Sequence, residues 1–153
     1  MSSPEGSTVT FRGTPAGVRR SPLRDFARVL ERGVTRGKRF DCVITTDSEL
    51  RRLNRQFRRK NTATDVLSFP APPDAPKGYL GDLAISFDRA RAQAREFGHA
   101  TSVEIRVLML HGVLHLTGLD HETDSGKMAR AEARLRRRLG LPGGLIERAS
   151  ETS

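Results

Sequence analysis

The spacing of apolar residues along the chain changes between the period of a β-strand and that of an α-helix. Segments rich in β-branched and aromatic residues predict four strands: Ser7–Arg12, Phe40–Thr45, Thr64–Phe69 and Tyr79–Phe87. Apolar residues three and four apart predict five helices, which begin near Ser21, Thr46, Asp88, Thr101 and Ser125. The order β-α-β-α-β-β-α-α-α contains no repeat and no dividing linker. We therefore expect a single-domain α/β fold with a four-stranded mixed sheet.

Capping residues set the expected helix boundaries. Ser21 before Pro22 predicts an N-cap followed by the first helical position. Two capping boxes of the form T-x-x-E open the second and fourth helices: Thr46 with Glu49, and Thr101 with Glu104. Glycines are expected to end the first, third and fourth helices: Gly33, Gly98 and Gly118.

The apolar faces of the helices predict what each one buries. The fourth helix is apolar nearly all round, which is typical of a buried central helix. The second and fifth helices each have one apolar side, formed by Leu50, Leu53 and Phe57 and by Met128, Leu135 and Leu139.

Chain length and charge narrow the class of protein. The chain has 153 residues, the usual size of one domain, and we treat 1–153 as one domain with loose tails at 1–6 and 143–153. It carries 27 Lys and Arg against 18 Asp and Glu, a net charge of +9. Such an excess is typical of a polyanion-binding surface, because each phosphate contact releases counterions. The alternative interpretation is that the charge serves solubility alone.

The sequence also indicates a cellular compartment. Cys42 is the single cysteine, which excludes a disulfide framework and a cysteine metal cluster. The first residues contain no apolar run, and no segment has the roughly 20 apolar residues of a membrane span. We therefore expect a cytoplasmic protein with neither a signal peptide nor a membrane anchor.

Three of the four histidines lie in one short segment, HGVLHLTGLDH. His111 and His115 are four residues apart on the predicted central helix, so both imidazoles can face one ion. Gly118 permits a left-handed turn that brings back His121 as a third ligand. Three nitrogen ligands without a fourth protein ligand are typical of a catalytic zinc with one position left for water. His99 has no partner at such spacing, and we assign it no role.

The spacing H-x-x-x-H also occurs in the H-E-x-x-H metalloproteases. Here Gly112 stands where those enzymes have the glutamate that acts as general base, which argues against proteolysis. Asp120 and Glu122 adjoin the third histidine. They either orient a histidine or a bound water, or are solvated turn residues.

Basic residues form a stripe on the second helix and just after it. Arg51, Arg55, Arg58 and Arg59 fall on one side, roughly opposite the apolar side, and Lys60 follows. The stripe is either a solvated face or a surface that contacts RNA phosphates, for which arginine suits bidentate contacts.

Three segments together resemble one known family. LNRQFRRKNTATDVLSFP, GDLAIS and HGVLHLTGLDHE, in this order, resemble the YbeY family of bacterial ribosomal RNA maturation factors. The resemblance runs from about Leu23 to Leu139. The family's metal-binding signature H-G-x-L-H-L-x-G-x-D-H is matched at each fixed position, while Leu119 stands where an aromatic residue is common.

The resemblance implies roles for further residues. The family's arginine six residues before the threonine of its T-D-V-L-S-F strand corresponds to Arg58, and the acidic residue of its G-D strand corresponds to Asp82. The implied fold is an α/β sheet with a central metal-bearing helix. The implied activity is a single-strand-specific endoribonuclease for ribosomal RNA maturation, notably at the small-subunit 3′ end, and for ribosome quality control. Implied partners are single-stranded or ribosomal RNA, the small subunit, one of its proteins and a ribosome-assembly GTPase.

The resulting hypothesis is metal-assisted cleavage of phosphodiester bonds. The three histidines would hold one Zn²⁺ per chain, which lowers the pKa of a water or polarises a phosphoryl oxygen. Arg58 would stabilise charge in the transition state, and Asp82 is a second-shell or structural candidate. The nucleophile is either water or the RNA 2′-hydroxyl. Two alternatives are a non-catalytic ribosome-assembly factor with a structural metal and a metallohydrolase of another substrate class.

Overall fold

One mixed sheet of four strands forms the base of the fold. The computed structural model describes residues 6–15, 18–58, 64–119 and 125–142. The strands are β1 (Thr8–Phe11), β2 (Arg39–Thr45), β3 (Val66–Pro70) and β4 (Tyr79–Ser86). They lie in the order β1-β2-β4-β3; β1 and β4 are both parallel to β2, whereas β3 is antiparallel to β4. The predicted mixed sheet is confirmed.

Within the described ranges, five helices complete the fold in the predicted order. They are α1 (Ser21–Gly33), α2 (Asp47–Arg58), α3 (Phe87–Phe97), α4 (Thr101–Leu116) and α5 (Lys127–Arg138). Most boundaries differ from the predicted ones by one or two residues. The predicted tails at 1–6 and 143–153, apart from Gly6, lie outside the described residues.

Strand pairing separates the two faces of the sheet. Cys42 lies opposite Leu83, and Val43 lies opposite Ala84. Because successive side chains of a strand point to opposite faces, these two pairs belong to different faces. The face with Cys42 and Leu83 packs against α1 and α4 in the main core, where Leu23, Leu30 and Leu108 are fully buried. Full burial of each such side chain contributes about 1.5–3 kcal/mol.

Helix α4 is the centre of this core, as its all-round apolar sequence predicts. From Ile105 onward nearly every side chain is buried, including Val107, Leu108, Met109 and Leu110. Its last turn is followed by Gly118, which takes the left-handed φ of 98° that the sequence predicts. In the part of the chain that is described, no helix is both long and apolar enough to cross a membrane.

A second, smaller apolar cluster lies on the opposite face of the sheet, beneath α2. Leu50 of α2 packs there on Leu67 and Ala84, with Leu53 half-buried at its side. The expectation that Phe57 also faces inward is wrong, because its side chain is 60% exposed. The apolar surface available to α2 is small, and Phe57 reaches only the edge of the Phe69 ring, with centroids 5.7 Å apart.

Two predicted N-caps are wrong. Ser21 and Thr101 are the first residues of α1 and α4, and the caps are Arg20 and Ala100, neither of which forms a side-chain cap hydrogen bond. In the second case Glu104 is fully buried and bonds His99, so it does not turn back to the helix start.

The capping box at α2 forms in part. Thr46 Oγ1 accepts a hydrogen bond from the Glu49 backbone N–H at 3.2 Å, as the box requires. The Glu49 carboxylate instead accepts from Arg52 Nε at 3.0 Å, one turn further along the helix. The hydrogen bond from Arg52 lowers the pKa of Glu49 below its ordinary value.

Helix α4 lies close against the sheet at Gly112. A Cβ atom there would lie 2.7 Å from Leu83 Cδ2 and 3.2 Å from Val66 Cγ2, both on the same face of the sheet. The Ser68 hydroxyl, from β3, donates a hydrogen bond to the Gly112 carbonyl at 3.1 Å. Gly112 is therefore needed for close packing.

Gly112→Ala tests this contact. The added methyl group has to displace the buried Leu83 side chain, and overpacking typically costs about 1–3 kcal/mol. The higher helix propensity of alanine offsets up to about 1 kcal/mol of this cost. We therefore expect a net loss of about 1 kcal/mol in the free energy of unfolding. Gly33→Ala in α1 is the control, since nothing lies within 4 Å of its Cβ position, and it should be neutral or stabilising. Equal unfolding midpoints in urea for the two variants would contradict the packing argument.

Candidate functional site

The structure brings two of the three predicted ligand histidines together on α4. The rings of His111 and His115 lie with centroids 4.9 Å apart, at an angle of 74°. His111 is buried at 8% exposure, and His115 is half-buried. The spacing of four residues thus places both imidazoles on one face of the helix, as expected.

A third residue of the site, Glu132 of α5, was not predicted. Its Oε2 lies 2.6 Å from Nδ1 of His111, and the carboxylate is almost fully buried. A carboxylate accepts hydrogen bonds, so Nδ1 donates to Glu132 in this contact, and Nε2 is the ring nitrogen through which His111 would bind a metal. The sequence does contain a signal: Glu132 lies between Met128 and Leu135 at the spacing of the buried face of α5. A carboxylate in an apolar position requires a partner.

Gly112, the residue that follows His111, faces the sheet. Because Gly112 lies against Leu83 and Val66, a glutamate there would bury its carboxylate among apolar side chains and not beside the histidines. The structure therefore gives a physical reason why this helix does not carry the general base of the H-E-x-x-H metalloproteases.

The remaining part of the predicted metal site lies outside the described residues. This applies to His121, the third proposed ligand, and to its neighbours Asp120 and Glu122. Within the described ranges, no three His, Cys, Asp or Glu side chains form a group able to hold a metal ion. Cys42 offers no thiolate ligand, because burial raises its pKa to about 12.

Asp82 lies on the other side of the sheet from the histidines. Leu83 contacts α4 at Gly112, so its neighbour Asp82 points to the face on which α2 packs. There the Asp82 carboxylate is exposed and accepts a hydrogen bond from the Tyr79 hydroxyl. The expectation that Asp82 orients a ligand is therefore wrong for His111 and His115, and a structural contact with Tyr79 remains.

The basic stripe is described only in part. Arg51 and Arg55 are exposed on α2, while Arg59 and Lys60 lie outside the described residues. Arg58 is the last residue of α2. Since α2 packs on the face opposite α4, Arg51 and Arg55 lie across the sheet from the histidines.

A shallow groove lies between α2 and the sheet. Its apolar wall contains Leu53, Phe57 and Phe69, and its charged lining residues are Arg12, Arg52, Glu49 and Asp82. The edge-to-face pair of Phe57 and Phe69 thus presents exposed aromatic surface close to basic residues.

His99, to which the sequence analysis assigns no role, has a partner in the structure. Its Nε2 lies 2.6 Å from Oε1 of the fully buried Glu104, near the start of α4. Sequence spacing does not predict this pair, because it equally allows Glu104 to form a capping box with Thr101. The contact is structural, since the ring of His111 lies about two turns further along the helix.

Comparison with known proteins places these features in a family. The family profile described as endoribonuclease YbeY matches residues 23–140. The chain is 63% identical over 148 residues to endoribonuclease YbeY of Solibacter usitatus, across 97% of this chain and 98% of the relative. The endoribonuclease YbeY of Koribacter versatilis is 50% identical over 137 residues, across 89% and 88% of the two chains. The solution structure of TM1509 from Thermotoga maritima matches with a TM-score of 0.56 at 26% identity, across 83% of this chain and 85% of that one.

The contact between Tyr79 and Asp82 can be tested by titration, since Tyr79 is the only tyrosine in the chain. Partial burial, and then the hydrogen bond to Asp82, raise the pKa of Tyr79 above its ordinary value of 10.0. Phenolate absorbance in the folded protein should therefore appear only at a pH above 10.0. Asp82→Asn removes the negative charge and should lower the pKa of Tyr79.

The control for this titration is Asp25→Asn, which removes an exposed carboxylate on α1. It should leave the absorbance curve unchanged, with circular dichroism used to confirm that each variant stays folded at high pH. A parent protein that titrates at the ordinary tyrosine pKa would show that the Tyr79–Asp82 contact is absent in solution.

Proposed function

The chain belongs to the endoribonuclease YbeY family, and from this premise we propose that it is a metal-dependent, single-strand-specific endoribonuclease of ribosomal RNA maturation. The proposed substrate is small-subunit ribosomal RNA near its 3′ end, and the proposed cellular role includes ribosome quality control in the cytoplasm. The observation that carries the proposal is the pair of histidines on α4, one of them fixed by a buried carboxylate.

The residues at this site fit a Zn²⁺ ion. The imidazole rings of His111 and His115 lie close together, and because Nδ1 of His111 contacts Glu132, Nε2 is the nitrogen that would bind the ion. His111, His115 and His121 would hold one ion per chain, in the three-ligand pattern of catalytic zinc sites. When bound, Zn²⁺ supplies Lewis-acid stabilisation of the negative charge that develops during phosphodiester cleavage.

Arg58 is the proposed catalytic residue outside the metal site. A guanidinium group presents several N–H donors in a plane, which matches the oxygens of a phosphoryl group. Placed against the scissile phosphate, it would stabilise the charge of the transition state more than that of the bound substrate. Its position at the end of α2 is next to the proposed RNA-contacting residues Arg59 and Lys60 in the sequence.

The surface of α2 fits a single-stranded RNA. Arg51 and Arg55 are exposed and available for phosphates, and the net charge of +9 favours association with a polyanion. Phe57 is 60% exposed on the same helix, and unpaired bases stack on such aromatic rings. A double helix keeps its bases stacked inside and gains nothing from this ring. The proposed partners beyond RNA are the small ribosomal subunit, one of its proteins and an assembly GTPase.

Two substitutions separate metal binding from catalysis. His115→Ala should lose metal and part of the thermal stability together, because bound metal stabilises only the folded state. Arg58→Ala should keep the metal and the melting temperature, since alanine is favourable at the last residue of a helix. Its cleavage rate should fall by about 10²–10³-fold, the usual scale for one preorganised charge-stabilising group.

The measurements are elemental analysis, thermal unfolding and single-turnover cleavage of a single-stranded RNA, with a matched duplex as the specificity control. His115→Ala also controls for contaminating ribonuclease, because a contaminant would remain active in that preparation. Cleavage by Arg58→Ala at the parental rate would limit the catalytic machinery to the metal site. Cleavage by His115→Ala at the parental rate would overturn the proposed function.

The proposed RNA surface on α2 also predicts how RNA affinity depends on salt concentration. Removing Arg51 and Arg55 together should flatten the dependence of RNA affinity on salt, because fewer counterions are released. Phe57→Ala should weaken binding by about 1–3 kcal/mol at all salt concentrations, because stacking does not release counterions. The control is the double variant Arg24→Ala plus Arg28→Ala on α1, which removes two exposed arginines that lie outside the proposed RNA surface. An unaltered salt slope in the double variant would make the stripe a solvated surface.

A further inference from the structure

We propose that Glu132 is a positioning residue of the metal site, which fixes the tautomer and ring orientation of His111 and thereby sets the affinity for Zn²⁺. This inference rests on the metal site of the proposed function and not on the cleavage of RNA. Glu132 itself is not a ligand, because it acts through the other nitrogen of the imidazole.

The geometry of the pair supports this role. Oε2 of Glu132 lies 2.6 Å from Nδ1 of His111, which is short for a bond between nitrogen and oxygen and typical of a charge-assisted contact. The side chains are 1% and 11% exposed, so little water competes for either group. An imidazole free in water populates both tautomers, whereas this contact selects the one with the proton on Nδ1. Nε2 is then the only ring nitrogen of His111 able to bind a cation.

The packing of α5 holds the carboxylate in place. Met128 lies one helical turn before Glu132 and is fully buried, and Leu135 lies one turn after it at 7% exposure. Both belong to the same core as α4. Glu132 is therefore anchored from both sides along α5, and its orientation needs no further ordering when a metal binds.

The contact between His111 and Glu132 also joins the two helices that precede and follow the proposed third ligand in the sequence. Residues 117–126 connect α4 to α5, and His121, the proposed third ligand, belongs to this connection. The hydrogen bond between His111 and Glu132 joins the two helices that bound the connection. The position of α5 therefore affects the orientation of His111, the ligand on α4, through Glu132.

A purely structural role is the alternative, in which the pair only attaches α5 to α4. The chain contains a matched pair for comparison. His99 and Glu104 are also 2.6 Å apart, and Glu104 is as fully buried as Glu132. His99 has no second histidine at helical spacing, whereas His111 has His115. A structural role predicts equal behaviour of the two pairs, and a positioning role predicts a difference.

The experiment compares Glu132→Ala, Glu132→Gln and Glu104→Gln in the full chain. Zn²⁺ affinity is measured by competition with a chromophoric chelator, and the tautomer of His111 is read from ¹⁵N chemical shifts of the metal-free protein. We expect Glu132→Ala to weaken Zn²⁺ binding by about 10–100-fold, the usual effect of removing a partner of a ligand histidine. The shifts of His111 should then become those of a mixture of tautomers. Glu132→Gln keeps the shape and an acceptor oxygen, so it should fold as the parent does and lose less affinity.

Glu104→Gln should lower the melting temperature and leave Zn²⁺ affinity unchanged. The proposal is overturned by parental Zn²⁺ affinity in both Glu132 variants, or by an equal loss of affinity in Glu104→Gln. Neither readout involves RNA. A parent that binds Zn²⁺ in a Glu132-dependent manner and does not cleave RNA would overturn the proposed function and support the role of Glu132.

Discussion

The close approach of α4 to the sheet at Gly112 is the contact on which the rest of the fold depends. A helix turns by about 100° per residue, so a helix fixed at one residue has the directions of all its other side chains fixed as well. With Gly112 against Leu83, His111 and His115 lie together on one flank of the helix, the side on which α5 supplies Glu132. The hydrogen bond from Ser68 to the Gly112 carbonyl holds the same contact from β3. The absence of a side chain at Gly112 therefore determines on which side of α4 the histidines lie.

Two contacts between a carboxylate and a histidine join this buried helix to its neighbours. Near the start, Glu104 bonds His99, and near the end, His111 bonds Glu132. Buried carboxylates are costly without partners, so a helix that slides or rotates by one residue breaks these bonds and leaves the acids unpaired. The apolar contacts of α4 are less selective, because Leu, Val and Met side chains tolerate several arrangements. The two polar pairs thus penalise alternative packings of a helix that is apolar on all sides.

The sequence predicts the order of all nine elements and the mixed sheet, because hydrophobic period and turn residues are local properties. It predicts that His111 and His115 share a face for the same reason. It does not predict Glu132, whose partner is 21 residues away in the chain and is reached only when α5 packs on α4. The N-cap at Thr101 fails because tertiary packing offers Glu104 the half-buried ring of His99 as a partner. The sequence leaves the role of Asp82 open between a second-shell and a structural one, because a strand with apolar residues on both sides does not indicate which face meets the central helix.

Because the two surfaces lie on opposite faces of the sheet, an RNA that contacts both of them has to be flexible. Arg51 and Arg55 lie beyond one face and the histidines beyond the other, with β3 as the edge strand between them. A polynucleotide that touches both surfaces around this edge has to curve. Double helices resist such curvature, and that of DNA stays nearly straight over lengths of about 50 nm. A strand without a complement bends at each nucleotide at little cost. The sheet edge would thus select between the two forms of nucleic acid by mechanics, before any base or hydroxyl group is recognised.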